Sequence, residues 1–357
     1  MKILYVITGL GKGGAERVVC DLADKMYEKG NIVKIAYLTG DILTRPVNEK
    51  IELIKLNLNS ISTFLFAYVS LSRLIKDYNP DIVHAHMVHA NIITRLIKIL
   101  SPVKKLINTA HNSNEGGIIR MLLYRATHHL ADVTTNVSNT AVSAFEAKNA
   151  VPKNGMRTVY NGVNFNNFKY QPEARKKIVA ELGLNEEKII LAVGRFNIQK
   201  NYPNLLRAIK YLKENNALDF ILLIAGDGEL KSTLEKIILE FDLSDDVKLL
   251  GIRNDISTLM SACDVFVLSS DYEGLPTVLI EALACQSHVV STDVSGAREI
   301  ISDYGKIVPI NEYKTLAEQI FISLQCEDRN KLAGSYIKNN FDIDIIYNQW
   351  IDIYKSK

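Results

Sequence analysis

Short runs rich in Val, Ile and Leu alternate with stretches of helical periodicity, and this alternation runs through the chain twice. In the first half, strands are expected at "KILYVIT", "NIVKIAYL", "IELIKL", "DIVHAH", "KKLINTAH" and "DVTTNVS". In the second they are expected at "KIILAVGRF", "FILLIAGDG", "VKLLG", "DVFVLSS" and "HVVSTDV", with helical patterns between. Near-continuous branched aliphatic runs mark strands buried on both faces, as in a parallel sheet wrapped by helices. The fold class this predicts is α/β, with two facing doubly wound parallel-sheet domains and a cleft between them. A chain of 357 residues is also longer than one core usually serves.

The seam is expected in 160–177, where Gly162, Pro172 and a cluster of asparagines break the periodicity. The division is then a first domain over 1–165, a second over 166–340, and a terminal helix over 341–357. One reading has that helix cross back to the first domain. Open parallel sheets bind ligands beyond the carboxyl ends of their strands, so the loops there are where chemistry is sought.

Charge and cysteine usage narrow the setting. Net charge is only +2, but residues 1–165 hold 20 Lys+Arg against 12 Asp+Glu, leaving 22 against 28 in the remainder. The basic first part points to an anionic partner, a membrane surface or a phosphate-bearing substrate, with an unevenly charged solvated surface as the equal alternative; a nucleic acid is not expected. Cys20, Cys263, Cys285 and Cys326 form no CxxC pair, which fits neither a disulfide framework nor a zinc site and suits a reducing cytoplasm. "MKILYVITGLG" reads as a first strand rather than a leader, and no apolar run approaches the roughly 18–20 residues that span a bilayer. The expected location is cytoplasmic, at the inner face of the membrane if the protein touches one. For that contact the candidate is "ISTFLFAYVSLSRLIKDY", 61–78, although packing on its own sheet is the favoured account of it.

Three loops carry chemistry. "TGLGKGGAERVV" places Gly9, Gly11 and Gly14 as G-x-G-x-x-G between strand and helix, allowing close backbone approach to phosphate. The dinucleotide version also wants an acid at the end of the next strand, where only Asp41 is available beyond a Thr-Gly turn; a plain tight turn stays open as well. "VGRFNIQKN" sets Arg195 and Lys200 five apart after a strand, two cations able to neutralise a departing diphosphate. "YEGLPTVLIEAL" brackets a helix start with Glu273 and Glu281. Pro276 suits the first helical position, and the rise from there to Glu281 is about 7.5 Å, which makes a poor acid/base dyad. Unpaired amides at Thr277 and Val278 suit a phosphate, and the flanking carboxylates suit sugar and ribose hydroxyls. A helix-dipole charge plus an exposed acid explains the same letters equally well.

Other motifs are weaker. His84 and His86 in "HAHMVHA" resemble a metal site without an acidic ligand nearby, and Asp342–Asp344 ("DID") reads as a helix cap. His111 in "NTAHNS" follows a strand, as many loop histidines do.

"GGAER", "GR" followed by lysine, "GDG" at 226–228 and the E-x7-E of 273–281, in this order from about residue 9 to 300, together resemble glycosyltransferase family 4. The resemblance implies the GT-B architecture, with 1–165 the acceptor-side domain and 166–340 the nucleotide-sugar-binding domain, a retaining reaction and no bound metal or other cofactor. It implies that Arg195 and Lys200 hold the donor diphosphate, that Glu281 binds the ribose, and that Glu273 binds the transferred sugar. It further implies backbone contacts from Gly274, Leu275, Pro276, Thr277 and Val278, a base framed by Ile252 and Arg253, Gly14 at the diphosphate, and His111 beside the sugar. The expected function is transfer of a hexose or N-acetylhexosamine from a UDP-sugar to a glycan acceptor, lipid-linked in the favoured version, in surface polysaccharide assembly. A sugar-nucleotide epimerase or hydrolase of the same architecture is the alternative, with an NAD-dependent oxidoreductase resting only on the first glycine loop.

Overall fold

The computed structural model describes residues 1–185 and 187–356. The chain divides into two compact units, residues 1–163 with 341–357, and residues 164–340.

In unit 1 the strands are β1 (Lys2–Ile7), β2 (Ile32–Tyr37), β3 (Glu52–Lys55), β4 (Ile82–His86), β5 (Leu106–Ala110), β6 (Val133–Asn136) and β7 (Arg157–Thr158). They form one sheet in the order β3-β2-β1-β4-β5-β6-β7, parallel throughout. Its helices are α1 (Gly14–Glu28), α2 (Phe64–Tyr78), α3 (Val88–Leu100), α4 (Ile118–Thr127) and α5 (Asn139–Ala147). Successive residues of a strand face opposite sides, so β1 feeds two cores. Ile3, Tyr5 and Ile7 pack with Val19, Leu22 and Trp350; Leu4 and Val6 pack with Leu71, Ile75 and Ile93.

In unit 2, helix α6 (Ala174–Leu182) precedes β8 (Lys188–Val193), β9 (Phe220–Ala225), β10 (Val247–Gly251), β11 (Val265–Leu268), β12 (His288–Thr292) and β13 (Lys306–Val308). The sheet order is β10-β9-β8-β11-β12-β13, again all parallel. Between and after them run α7 (Tyr202–Asn215), α8 (Lys231–Glu240), α9 (Ile256–Ala262), α10 (Thr277–Ala284), α11 (Ala297–Ile301), α12 (Tyr313–Leu324) and α13 (Lys331–Phe341). Strand order reverses direction between β1 and β4 in unit 1 and between β8 and β11 in unit 2. These switch points bring the loops after β8 and β11 side by side, which is where such sheets hold ligands.

The chain re-enters unit 1 through a two-bond junction, Val163 N–H to Phe341 O at 2.9 Å and Ile343 N–H to Val163 O at 3.1 Å. Helix α14 (Ile343–Lys355) follows. Asp342 caps it, accepting from the Asp344 amide at 2.8 Å, so "DID" is a helix start. Ile346, Trp350, Ile353 and Tyr354 are buried against the unit 1 sheet. Removing the Trp350 side chain alone would cost about 3–5 kcal/mol.

Candidate functional site

The unit 2 site starts from how tightly its loops are seated. After β8, the Gly194 amide donates to Ala225 O (3.0 Å), the Phe196 amide to Asp227 O (2.9 Å) and the Leu230 amide to Phe196 O (3.0 Å). The "GRF" and "GDG" segments thus lie backbone to backbone. A Cβ at Gly226 would run into the Gly194 carbonyl, so only glycine permits this contact. Asn197 then caps a short 3₁₀ turn over Ile198–Lys200, its side chain accepting the Lys200 amide at 3.2 Å.

That turn aims Lys200 at Glu273, with Nζ 2.7 Å from Oε1 and only 15% and 11% of the two side chains exposed. Glu273 also accepts from Ser270 Oγ at Oε1 (2.9 Å) and from Gln199 Nε2 at Oε2 (3.0 Å). The loop is tied further by Gln199 Nε2 to Tyr272 O (3.0 Å), Asp271 N–H to Gln199 O (2.9 Å) and Ser269 Oγ to Lys200 O (2.8 Å). Gln199 carries no motif signal in the sequence because its partner lies 74 positions away in another loop, and Ser270, three residues before Glu273, is an ordinary loop serine. Three donors on its two oxygens hold the Glu273 carboxylate in one place as a hydrogen-bond acceptor.

Helix α10 begins one residue later than the sequence suggests. Pro276 is its N-cap, with φ −73° and ψ 88°, and the first helical residue is Thr277. The proline ring fits either position, and its extended ψ makes it the last non-helical residue. The amides of Thr277 and Val278 have no helix carbonyl to bond, and Pro276 offers no side-chain acceptor. Gly274 and Leu275 are held from behind by Gly296 at φ 77°, where a Cβ would sit 2.9 Å from Gly274 O and 2.8 Å from Leu275 Cδ1. Gly296, in "DVSGAREI", is thus a supporting residue that the sequence reading did not single out. Glu281 is half-buried within α10.

The remaining donor-side candidates differ in environment. Arg195 is an exposed side chain, 3.3 Å from Glu229, a surface pair free to exchange partners. Arg253 is instead committed to Glu181 on α6 (2.5 and 3.2 Å) and to Asp255 (2.8 and 2.7 Å). It clamps the loop after β10, leaving Ile252 exposed at its tip.

In unit 1, Gly14 opens α1 behind Gly13, its N-cap, which supplies no side-chain bond. Gly14 is exposed, and nothing lies within 4 Å of where its Cβ would be. His111 follows β5 and is buried; its amide donates to Glu115 Oε1 at 2.9 Å, and its Nε2 lies 3.0 Å from His86 Nδ1. Burial pulls the His111 imidazole down to about 4. Burial pushes the Glu115 carboxyl up to about 7, against hydrogen bonds that favour its ionised form. Glu115, four residues after His111, is a further group the sequence reading missed; the H-x3-E spacing was its only trace.

His84 is not poised for a metal. Its Nδ1 pairs with the Tyr354 hydroxyl and its Nε2 with Thr109 Oγ1, both at 2.8 Å, under the Trp350 ring at 4.4 Å between centroids. Among the described residues, no three His, Cys, Asp or Glu side chains come together as a metal-holding group.

Residues 174–340 match the family described as Glycosyl transferases group 1, and residues 12–167 match Glycosyltransferase Family 4. The chain is 27% identical over 348 residues to the N-acetylgalactosamine-N,N'-diacetylbacillosaminyl-diphospho-undecaprenol 4-alpha-N-acetylgalactosaminyltransferase of Campylobacter jejuni, an alignment covering 92% of each protein. It is 30% identical over 298 residues to EpsF of Bacillus subtilis, covering 79% of this chain and 77% of that one. The crystal structure of HepE from Anabaena in complex with UDP superposes with a TM-score of 0.85 at 19% identity, over the full length of both chains. That last likeness is one of fold, and it is GT-B. The tandem matches and the EpsF relative place this chain in glycosyltransferase family 4, and the protein is a glycosyltransferase.

Proposed function

We propose that the protein is a retaining transferase that moves a hexose or N-acetylhexosamine from a UDP-sugar to a lipid-linked glycan acceptor in surface polysaccharide assembly. The observation that carries this reading is the part-buried Lys200–Glu273 pair in the loop that leads into α10, whose first amides, Thr277 and Val278, have no helix carbonyl to bond. A cation and a helix start at one switch point suit a diphosphate, and a braced carboxylate suits sugar hydroxyls. In this reading Lys200, Arg195 and the α10 amides stabilise the departing diphosphate. Glu273 and Glu281 accept hydroxyl hydrogen bonds from sugar and ribose. The acceptor oxygen attacks on the face the diphosphate leaves, and its proton passes to the leaving phosphate. His111 and Gly14 serve at the sugar and the diphosphate by family resemblance. We propose that protein cations and amides meet the charge with no metal, so chelation by EDTA should leave turnover unchanged.

The acceptor class is supported by the Campylobacter relative, named for a diphospho-undecaprenol substrate, and the nucleotide by the HepE structure, which holds UDP. A membrane-facing role is also supported by α4. Its Ile118 and Ile119 are 80% and 76% exposed, Leu122 and Leu123 are exposed beside them, Arg125 joins them at the surface, and the helix holds no acid. Such a face on a basic chain segment suits the interface of an anionic bilayer better than open water. The contact foreseen for 61–78 is shared by Leu65 and Phe66, also exposed, while Phe64 and Tyr68 pack inward. Among the described residues no helix is long and apolar enough to cross a membrane.

The test is a panel of UDP-sugars with a polyprenyl-diphosphate-linked acceptor, scored by UDP release and by anomeric configuration of the product. Transfer with retained configuration supports the proposal. A new sugar nucleotide formed without acceptor would favour the epimerase reading instead. Ile119→Glu with Leu122→Glu should abolish sedimentation with anionic vesicles while leaving turnover on a soluble acceptor analogue intact.

A further inference from the structure

Two buried histidines from neighbouring strands meet in unit 1. His86 ends β4, His111 follows β5, and His86 Nδ1 lies 3.0 Å from His111 Nε2. Burial holds His86 far below the ordinary imidazole range and pulls His111 down to about 4, so both rings are neutral near pH 7. A neutral imidazole has one N–H and one lone pair, so a single proton occupies the bond between them. Two arrangements satisfy it. In the first, His111 donates from Nε2, and His86 then carries its own proton on Nε2. In the second, His86 donates from Nδ1, its Nε2 is a lone pair, and His111 carries its proton on Nδ1.

The surroundings of His86 Nε2 choose between them. That atom is buried without a hydrogen-bond partner among the described residues. The neighbouring His84 cannot serve, since both its nitrogens are engaged by Tyr354 and Thr109. The cavity at this point has an open volume of about 10 Å³; its walls are mostly apolar, with Thr109, Tyr160 and Asn161 the polar residues besides the two histidines. One water needs roughly 10–15 Å³, so this space is at the lower limit for one, and Thr109 Oγ1 is already committed to His84 and Thr135. A buried N–H with no acceptor is the rarer and costlier orphan than an unpaired acceptor lone pair. The second arrangement therefore wins.

We infer that His86 is a positioning residue that fixes His111 as the Nδ1–H tautomer, so that His111 offers a hydrogen-bond donor, not a proton acceptor, to the transferred sugar. The role at the sugar rests on the proposed transferase reading; the tautomer does not. It also explains why no step of that reaction needs His111 as a base. The relay extends no further, because Thr109 Oγ1 pairs with His84 and Thr135 rather than with either member of the couple.

The test uses the full-length chain labelled with ¹⁵N-histidine, observed by long-range ¹H–¹⁵N correlation near pH 7.5, with His111→Asn to assign the signals. The expected His111 pattern is a protonated Nδ1 and an unprotonated Nε2. In His86→Phe that pattern should shift toward the Nε2–H form, and turnover should fall about tenfold with little change in KM for the donor. His86→Asn, which keeps a donor at the Nδ1 position, should restore most of the rate. A protonated Nε2 on His111 in the unaltered protein would overturn the inference, and this outcome depends on no variant folding. Unchanged UDP release in His111→Ala, with the Nδ1–H pattern present, would instead overturn the role at the sugar, so the two failures are distinguishable.

Discussion

Breaking the Lys200–Glu273 pair tests whether unit 2 is built around it. In Glu273→Ala, a lysine that is 15% exposed keeps its charge and loses its counter-ion, and Gln199 and Ser270 lose an acceptor. Removing one partner of a buried pair costs about 3–5 kcal/mol; the residual exposure argues for the lower end, about 3 kcal/mol. Lys200→Met, which keeps much of the aliphatic stem, should cost about the same by stranding the carboxylate, softened by its two remaining donors. The double variant removes both charges, so its cost should be about 4 kcal/mol rather than 6, a coupling of about 2 kcal/mol. For a unit of this size each kcal/mol moves Tm by roughly 2–4 °C. Glu273→Ala should then melt about 6–12 °C low by scanning calorimetry, and the double variant should recover roughly 4–8 °C of the summed loss. Strict additivity within about 0.5 kcal/mol would refute the claim that the two side chains act as one unit.

The other expectations concern pH and three glycine or carboxylate positions. Glu115, raised to about 7 by burial from an unfolded value near 4.5, stabilises the fold fully below the unfolded value; that stability is lost as pH rises through about 7. His111, lowered to about 4, works the other way, losing stability as pH falls from about 6.5 through 4. Glu115→Gln should therefore melt at a higher temperature than the parent at pH 8 and lose that advantage at pH 4.5, a difference on the order of 3 kcal/mol at most; parallel pH profiles would contradict it. Gly14→Ala adds a methyl where nothing lies within 4 Å, so stability should be unchanged or rise by up to about 1 kcal/mol while UDP-sugar turnover drops, the opposite of a folding defect. Gly226→Ala meets the Gly194 carbonyl and should lower stability by more than about 2 kcal/mol, measured by urea unfolding.

Strands of the parallel sheets were legible because burial on both faces writes them as unbroken aliphatic runs, and each of the eleven quoted runs contains a strand. Those missed, Arg157–Thr158 and Lys306–Val308, are too short to establish any period. Helix Ala174–Leu182 was hidden because "EARKKIVAEL" buries only Ala174 and Ile178 and otherwise reads as a charged linker. At the site, Arg195, Lys200 and Glu273 were visible as charges in glycine and proline loops after strands. Their bonding was not, since Lys200 and Glu273 are 73 positions apart and no local rule pairs them. The bonding of the His84–His86 doublet was out of reach for the same reason, as the partner that satisfies His84 is Tyr354, 270 residues away. Pro276 shows the limit of cap reading, because proline suits both the last non-helical and the first helical position.

The most direct measurement of the central claim is calorimetric titration of UDP, UMP and uridine into the protein and into Thr277→Pro, with Thr277→Ala as the side-chain control. Proline at this first helical position removes one unpaired amide and leaves the remainder of α10 able to form. Affinity should fall from UDP to UMP to uridine. Thr277→Pro should weaken UDP at least tenfold beyond Thr277→Ala and leave uridine unchanged. Uridine binding as tightly as UDP, or Thr277→Pro binding UDP as well as Thr277→Ala does, would contradict a diphosphate seated on the start of α10.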